Sequence, residues 1–199
     1  MAQDNPFINL ERDIRNSKAS CKKNQVLLRL EGIPSGHHAY TWAYPEGMVL
    51  GAFKTPLYKL HMYTCDHSGW IFKVIRFGPR LYKGAKSVAG LADYQKHKLK
   101  WYPEYTLHST DSAEDGAWIV TGNFLIHDGP DTSSPNDLIG TAGCLEVFGP
   151  KGFSVFNSKM LELSGQSHLS KVDAIIEYEA ATRPSWNYFE KNRVDTFRY

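Results

Sequence analysis

The sequence predicts a mainly β (α+β) fold, with a β-sandwich or barrel core, short helices and a C-terminal helical region. Three observations carry this prediction. Residues 58–63 and 70–77 alternate apolar and polar side chains with period two, the pattern of half-buried strands. Aromatic residues make up 13% of the chain, with eleven Tyr and five Trp, which favours strands. Gly/Pro-rich stretches at 32–48 and 128–140 separate the strand-like runs and read as loops or turns.

Taken in order, residues 4–18 suit a short helix, with Asp4 or Asn5 as cap and Pro6 in the first turn. Residues 25–30 are strand-like. The strands at 58–63 and 70–77 are joined by a hairpin turn at 66–69. Residues 88–98 read as a short helix and 100–109 as an edge strand, since Pro103 cannot donate to a ladder. Residues 117–127 form two short strands around Gly122, and 144–148 form another. Residues 153–164 and 168–181 read as helices, the second from Leu169, Val172, Ile175 and Ile176 at helical spacing. The 199 residues therefore make a single domain: an N-terminal helix/loop region at 1–55, a β-rich catalytic core at 56–150 and a C-terminal helical region at 151–199.

Composition excludes several classes. The net charge is only +2 and basic runs are lacking, which argues against nucleic acid as a partner. No stretch approaches eighteen apolar residues, so no membrane span is expected. The first twenty residues lack the apolar core of a secretory signal, so the expectation is synthesis in the cytoplasm without a signal peptide. Three widely spaced cysteines, Cys21, Cys65 and Cys144, do not make a disulfide framework. His61, Cys65 and His67, with His37 and His38 upstream, offer zinc-type ligands but no recognised spacing, so neither a metal nor a cofactor is expected.

The chemistry concentrates between residues 124 and 149. His127 ends one apolar run and Cys144 opens another, with a polar loop between them. A thiol with a pKa of roughly 8.5 is only slightly ionised at neutral pH. A neighbouring imidazole can take its proton and leave a strong nucleophile. Thr141, Ala142 and Gly143 let the backbone bend before the cysteine, and the amides of Gly143 and Cys144 are candidate oxyanion donors. A free cysteine is commonly just a small apolar residue. Its position after Thr-Ala-Gly, with His127 upstream, favours the nucleophile.

This segment resembles the L,D-transpeptidase (YkuD-type) family, in which a His precedes a loop and then Ser/Thr-His-Gly-Cys. The match falls on His127, Thr141, Gly143 and Cys144, and residues 102–106 loosely echo an upstream strand of that family. The resemblance implies an L,D-transpeptidase-like β core, His127 as base, Cys144 as nucleophile and Gly143 beside the oxyanion. Two positions depart from the family pattern: its second His is Ala142 here, and its Arg or Asn two places after the Cys is Glu146. In a strand, residues two apart share a face, so Glu146 would lie beside Cys144 and orient a group or bind a substrate amine.

Further candidates for substrate binding or orientation are Asp128, Arg76, Tyr82, His108 and Trp118, with Arg80, Trp101, Tyr102 and Tyr105 nearby in sequence. The implied function is a cysteine enzyme, hydrolase or transferase, that attacks an amide of peptidoglycan stem peptides through a thioester. Peptidoglycan lies outside the cytoplasm. The expectation is therefore an antibacterial effector toxin delivered to the periplasm of a target cell by a dedicated secretion system, with an immunity protein as partner. The competing reading is a non-catalytic β-rich binding or structural module with an inert cysteine. Fast alkylation of Cys144 relative to Cys21 and Cys65 is expected of the enzyme alone. A papain-like amidase ranks behind both, because there the cysteine precedes the histidine and opens a helix.

Overall fold

A computed structural model of the chain describes residues 22–66, 69–106, 115–140 and 142–196. The predicted helix at 4–18 lies outside them, as does His108. The described strands are β1 (Val26–Thr41), β2 (Tyr44–Pro45), β3 (Ala52–Tyr63), β4 (Trp70–Ile75), β5 (Phe77–Tyr82), β6 (Ala85–Gly90), β7 (Gln95–Lys98), β8 (Lys100–Tyr102), β9 (Ala117–Thr121), β10 (Phe124–Asp128) and β11 (Leu145–Phe148). Then come helix α1 (Gly152–Ser164), β12 (Ala174–Tyr178), helix α2 (Trp186–Lys191) and β13 (Arg193–Val194). The molecule is mainly β, as the period-two alternation predicts.

The main sheet runs β7-β12-β1-β3-β4-β11-β10-β9-β8, with β13 beside β3, and β2-β5-β6 form a small second sheet. The two ends of the main order, β7 and β8, are consecutive in the chain with only Leu99 between them. The sheet therefore curls into a nearly closed wall. Alternation sorts its two faces. Val26, Leu28 and Leu30 of β1 point inward, as do Ile126, Leu145, Val147 and Ile176. Phe153, Phe156 and Met160 of α1 fill the same core. Each such side chain stabilises the fold by roughly 1.5–3 kcal/mol when fully buried. Helix α1 stops where Gly165 turns left-handed, its amide donating to the Glu162 carbonyl at 3.3 Å.

Four readings of the sequence need correction. The Gly/Pro-rich stretch from residue 32 is not a loop throughout, because β1 continues to Thr41 with register shifts on either side of Pro34. Bulges absorb a residue that cannot donate to the ladder. Residues 88–98 hold the end of β6 and all of β7 rather than a helix, with Gly90 at φ +146. Residues 168–181 form a single 3₁₀ turn, Leu169–Lys171, and then β12. There Ala174, Ile176 and Tyr178 alternate into the core, parallel to β1, and burial between β1 and β7 outweighs the helical spacing. The supposed helical region thus supplies a central strand, and the supposed N-terminal helix/loop region supplies its neighbour. The fourth correction concerns sulfur: Cys65, expected above to be a thiol open to alkylation, is disulfide-bonded. A single bridge leaves no spacing pattern to read.

Candidate active site

The loop from residue 129 to 143 joins β10 to β11, and the two strands lie side by side in parallel. Ile126 pairs with Leu145, His127 with Glu146, and Asp128 with Val147. Ile126, Leu145 and Val147 face the core. His127 and Glu146 therefore face outward, and Cys144, two residues before Glu146, shares their side. Parallel pairing is what brings the predicted base and nucleophile onto one face.

The outer face is roofed here. Cys144 is 6% exposed, His127 2% and Glu146 0%. Gly143, at φ +100, lies against the end of β6. A Cβ on it would sit 2.6 Å from the Gly90 amide nitrogen, so only glycine fits. Gly140 packs as closely on the Trp42 indole, and Thr41 Oγ1 donates to the Ile139 carbonyl. Ser133 Oγ donates to the His38 carbonyl at 2.7 Å, and the Gly149 amide to the Pro130 carbonyl at 3.0 Å. The loop is thus pinned to β1, to the small sheet and to its own far end. The Tyr105 ring lies 5.4 Å from the His127 ring, tilted by 32°.

Electrostatics set the resting protonation. His127 Nδ1 lies 2.7 Å from the main-chain oxygen of Asp128. A carbonyl only accepts, so Nδ1 carries the proton and Nε2 presents its lone pair. Burial pushes the imidazole down to about 4, against the smaller upward pull of that hydrogen bond, so the ring is neutral at pH 7. Burial pushes the Cys144 thiol up to about 11. The Leu125 amide pulls it down and the Glu146 carboxylate pushes it further up. The thiol donates to the Asn123 carbonyl across 3.8 Å. Tyr105 is held above the usual phenol range by burial, then by Cys144, Glu146 and Tyr44. The resting site therefore holds a neutral thiol and a neutral imidazole. This revises the alkylation expectation: Cys65 is already in a disulfide, and resting Cys144 is covered and protonated.

The other candidates divide. Asp128 contributes its main-chain oxygen to His127, as above. Arg76 does not face a substrate: it is fully buried and donates to the carbonyls of Leu91, Glu31 and Glu179, with its guanidinium over the Tyr58 and Phe77 rings. Trp118 is likewise core, its Nε1 donating to Asn157 Oδ1 at 2.9 Å. Tyr82 lies at the exposed end of β5 with Arg80 and Lys83 over its ring. His61, from the weighed metal cluster, meets Glu31 Oε1 at 2.6 Å. Tyr44 was missed by sequence reasoning, since its strand falls in a stretch read as loop. Comparison with protein-family models, curated proteins and solved structures returns no match.

Proposed function

We propose that the chain is a cysteine-dependent amide hydrolase or L,D-transpeptidase-type enzyme acting on peptidoglycan stem peptides, with Cys144 as nucleophile and His127 as base. The observation that carries this reading is the parallel register of β10 and β11. It sets His127, with Nε2 unprotonated, on the same face as the thiol. The Cys144 sulfur attacks the amide carbon as its proton passes to Nε2. The C–N bond then breaks, the departing amine takes that proton, and a thioester remains. Water releases a carboxylic acid, whereas an acceptor amine releases a new amide. The amides of Gly143 and Cys144 are the candidate oxyanion donors, each worth about 3 kcal/mol in the transition state.

Glu146, fully buried opposite His127 in the register, acts in this reading as a positioning residue that orients a group beside Cys144. The Cys65 disulfide suits work in an oxidising compartment such as the periplasm. Delivery into a target cell as an effector toxin, and an immunity protein that blocks access to Cys144, complete the proposal. The L,D-transpeptidase-like form of the β core belongs to it as well.

A second reading rests on the burial of Cys144 and its raised thiol: a β-rich binding module with an inert cysteine. Incubating the protein and its Cys144→Ala variant with muropeptides, with products read by mass spectrometry, separates the two. Cleavage or amino-acid exchange by the wild type alone supports the enzyme. Intact muropeptides with folded wild-type protein favour the module.

A further inference from the structure

A cleft of about 510 Å³ opens where β8 parts from the lead-in to β12, at the seam of the sheet. Lys98, Lys100 and Lys171 line it, with Ser170, Asp173 and one wall from Trp101. Asp173 is already committed. It pairs with Lys98 at 3.2 Å and accepts from Gln25 Nε2 at 2.9 Å, contacts that hold its carboxyl low despite the upward push of burial. Lys100 and Lys171 make no ion pair among the described residues. Two cations on one concave surface attract an anion and repel each other until one arrives. Trp101 is held in place by the Trp118 and Phe153 rings, so this wall is rigid.

The register ties this cleft to the nucleophile. Lys100 pairs with Ile119, Ile119 with Leu125, and Ile126 with Leu145, which places Leu125 beside Cys144. Directly paired residues share a face, so Lys100, Ile119, Leu125 and Cys144 form one row across the outer wall. Three inter-strand steps of roughly 4.8 Å span about 14 Å. An extended peptide covers that distance in about four residues at roughly 3.5 Å each. Ile119 and Leu125, between the ends, are half-buried.

We propose that this row is an extended substrate track, and that the lysine cleft binds a carboxylate of the acyl-donor peptide about four residues from the amide that Cys144 attacks. The proposal rests on the function proposed above for Cys144. Its recognition element is a negative charge carried at the far end of the bound peptide, which the ammonium groups of Lys100 and Lys171 take.

The test uses the full chain carrying Cys144→Ala and two synthetic cross-linked stem-peptide dimers, long enough to place a carboxylate about four residues from the attacked amide, one with free carboxylates and one fully amidated. Calorimetric titration is expected to give roughly tenfold weaker binding of the amidated peptide at 0.1 M salt. A Lys100→Ala/Lys171→Ala double variant should lose the same factor for the acidic peptide and nothing for the amidated one. Both lysines are exposed, and a thermal melt confirms that the variant is folded. Equal affinity for the two peptides, or an unchanged affinity in the double variant, overturns the proposal. The wild-type enzyme separates the two claims. Charge-dependent binding without turnover keeps the cleft and removes the enzyme. Turnover with the same KM for both peptides keeps the enzyme and removes the cleft.

Discussion

Arg76 and the Cys144–His127 site are both polar groups buried in a β fold, yet they are built in opposite ways. Arg76 has no exposed surface, and its donors reach three main-chain carbonyls from three parts of the chain: Glu31, Leu91 and Glu179. Burial lowers its pKa to about 10, partly offset by Tyr58, Glu179 and Tyr178, and it stays charged at neutral pH. At the other site burial pushes His127 and Cys144 toward their neutral forms, and His127 Nε2 has no hydrogen-bond partner among the described residues. A saturated buried cation ties a fold together, as Arg76 does here. An imidazole lone pair kept open on the face of a thiol is an arrangement that proton transfer can use.

The contrast can be broken by exchanging the roles. Arg76→Met should cost about 4 kcal/mol of stability, because carbonyls that lose a charged donor are left buried. Urea unfolding reads this, and a loss under 1 kcal/mol would mean that Arg76 does not clamp the fold. His127→Gln should instead leave stability at pH 7 within about 1 kcal/mol and lower turnover by 10²–10⁴-fold. Retained turnover in that variant would remove the base from the mechanism.

Acid titration sharpens the same comparison. Below pH 6.5 the unfolded chain takes up a proton at His127 that the folded chain refuses until about pH 4. Stability should therefore fall across that window by about 3 kcal/mol, and His127→Gln should flatten the fall. Cys144 acts at the alkaline end. Its unfolded thiol ionises near pH 9 and the folded one near 11, so it contributes a loss of stability between those values, and Cys144→Ala should make the drop shallower there. A smaller effect is expected from Glu146→Gln. Removing the carboxylate that raises the thiol should speed iodoacetamide labelling of Cys144 above pH 9 by a few-fold. Unchanged labelling would dissociate Glu146 from the nucleophile.

The strands flanking Gly122 are legible in the sequence because apolar alternation and a glycine turn coincide there. The distance between His127 and Cys144 is legible too, since a loop of small and polar residues joins two apolar runs. That they share one face of the sheet is not, because nothing local specifies that β10 and β11 pair in parallel. Residues 174–178 mislead for a related reason: Val172, Ile175 and Ile176 satisfy helical spacing, while Ala174, Ile176 and Tyr178 satisfy strand alternation. Only the place between β1 and β7 decides. Gly32, Pro34 and Gly36 read as loop breakers but lie within a bulged strand. Arg76 and Trp118 carry functional residue types, and only burial shows that they belong to the core.

The central claim is that Cys144 forms a thioester with a peptide acyl group. Acid-quenched intact-mass spectrometry after mixing with a stem peptide measures this directly, with products followed in the same samples. The predicted result is an adduct of the acyl fragment mapped to Cys144, with product release, both absent from Cys144→Ala. Product formed by Cys144→Ala at the wild-type rate, or neither adduct nor product from folded wild-type protein, would contradict it.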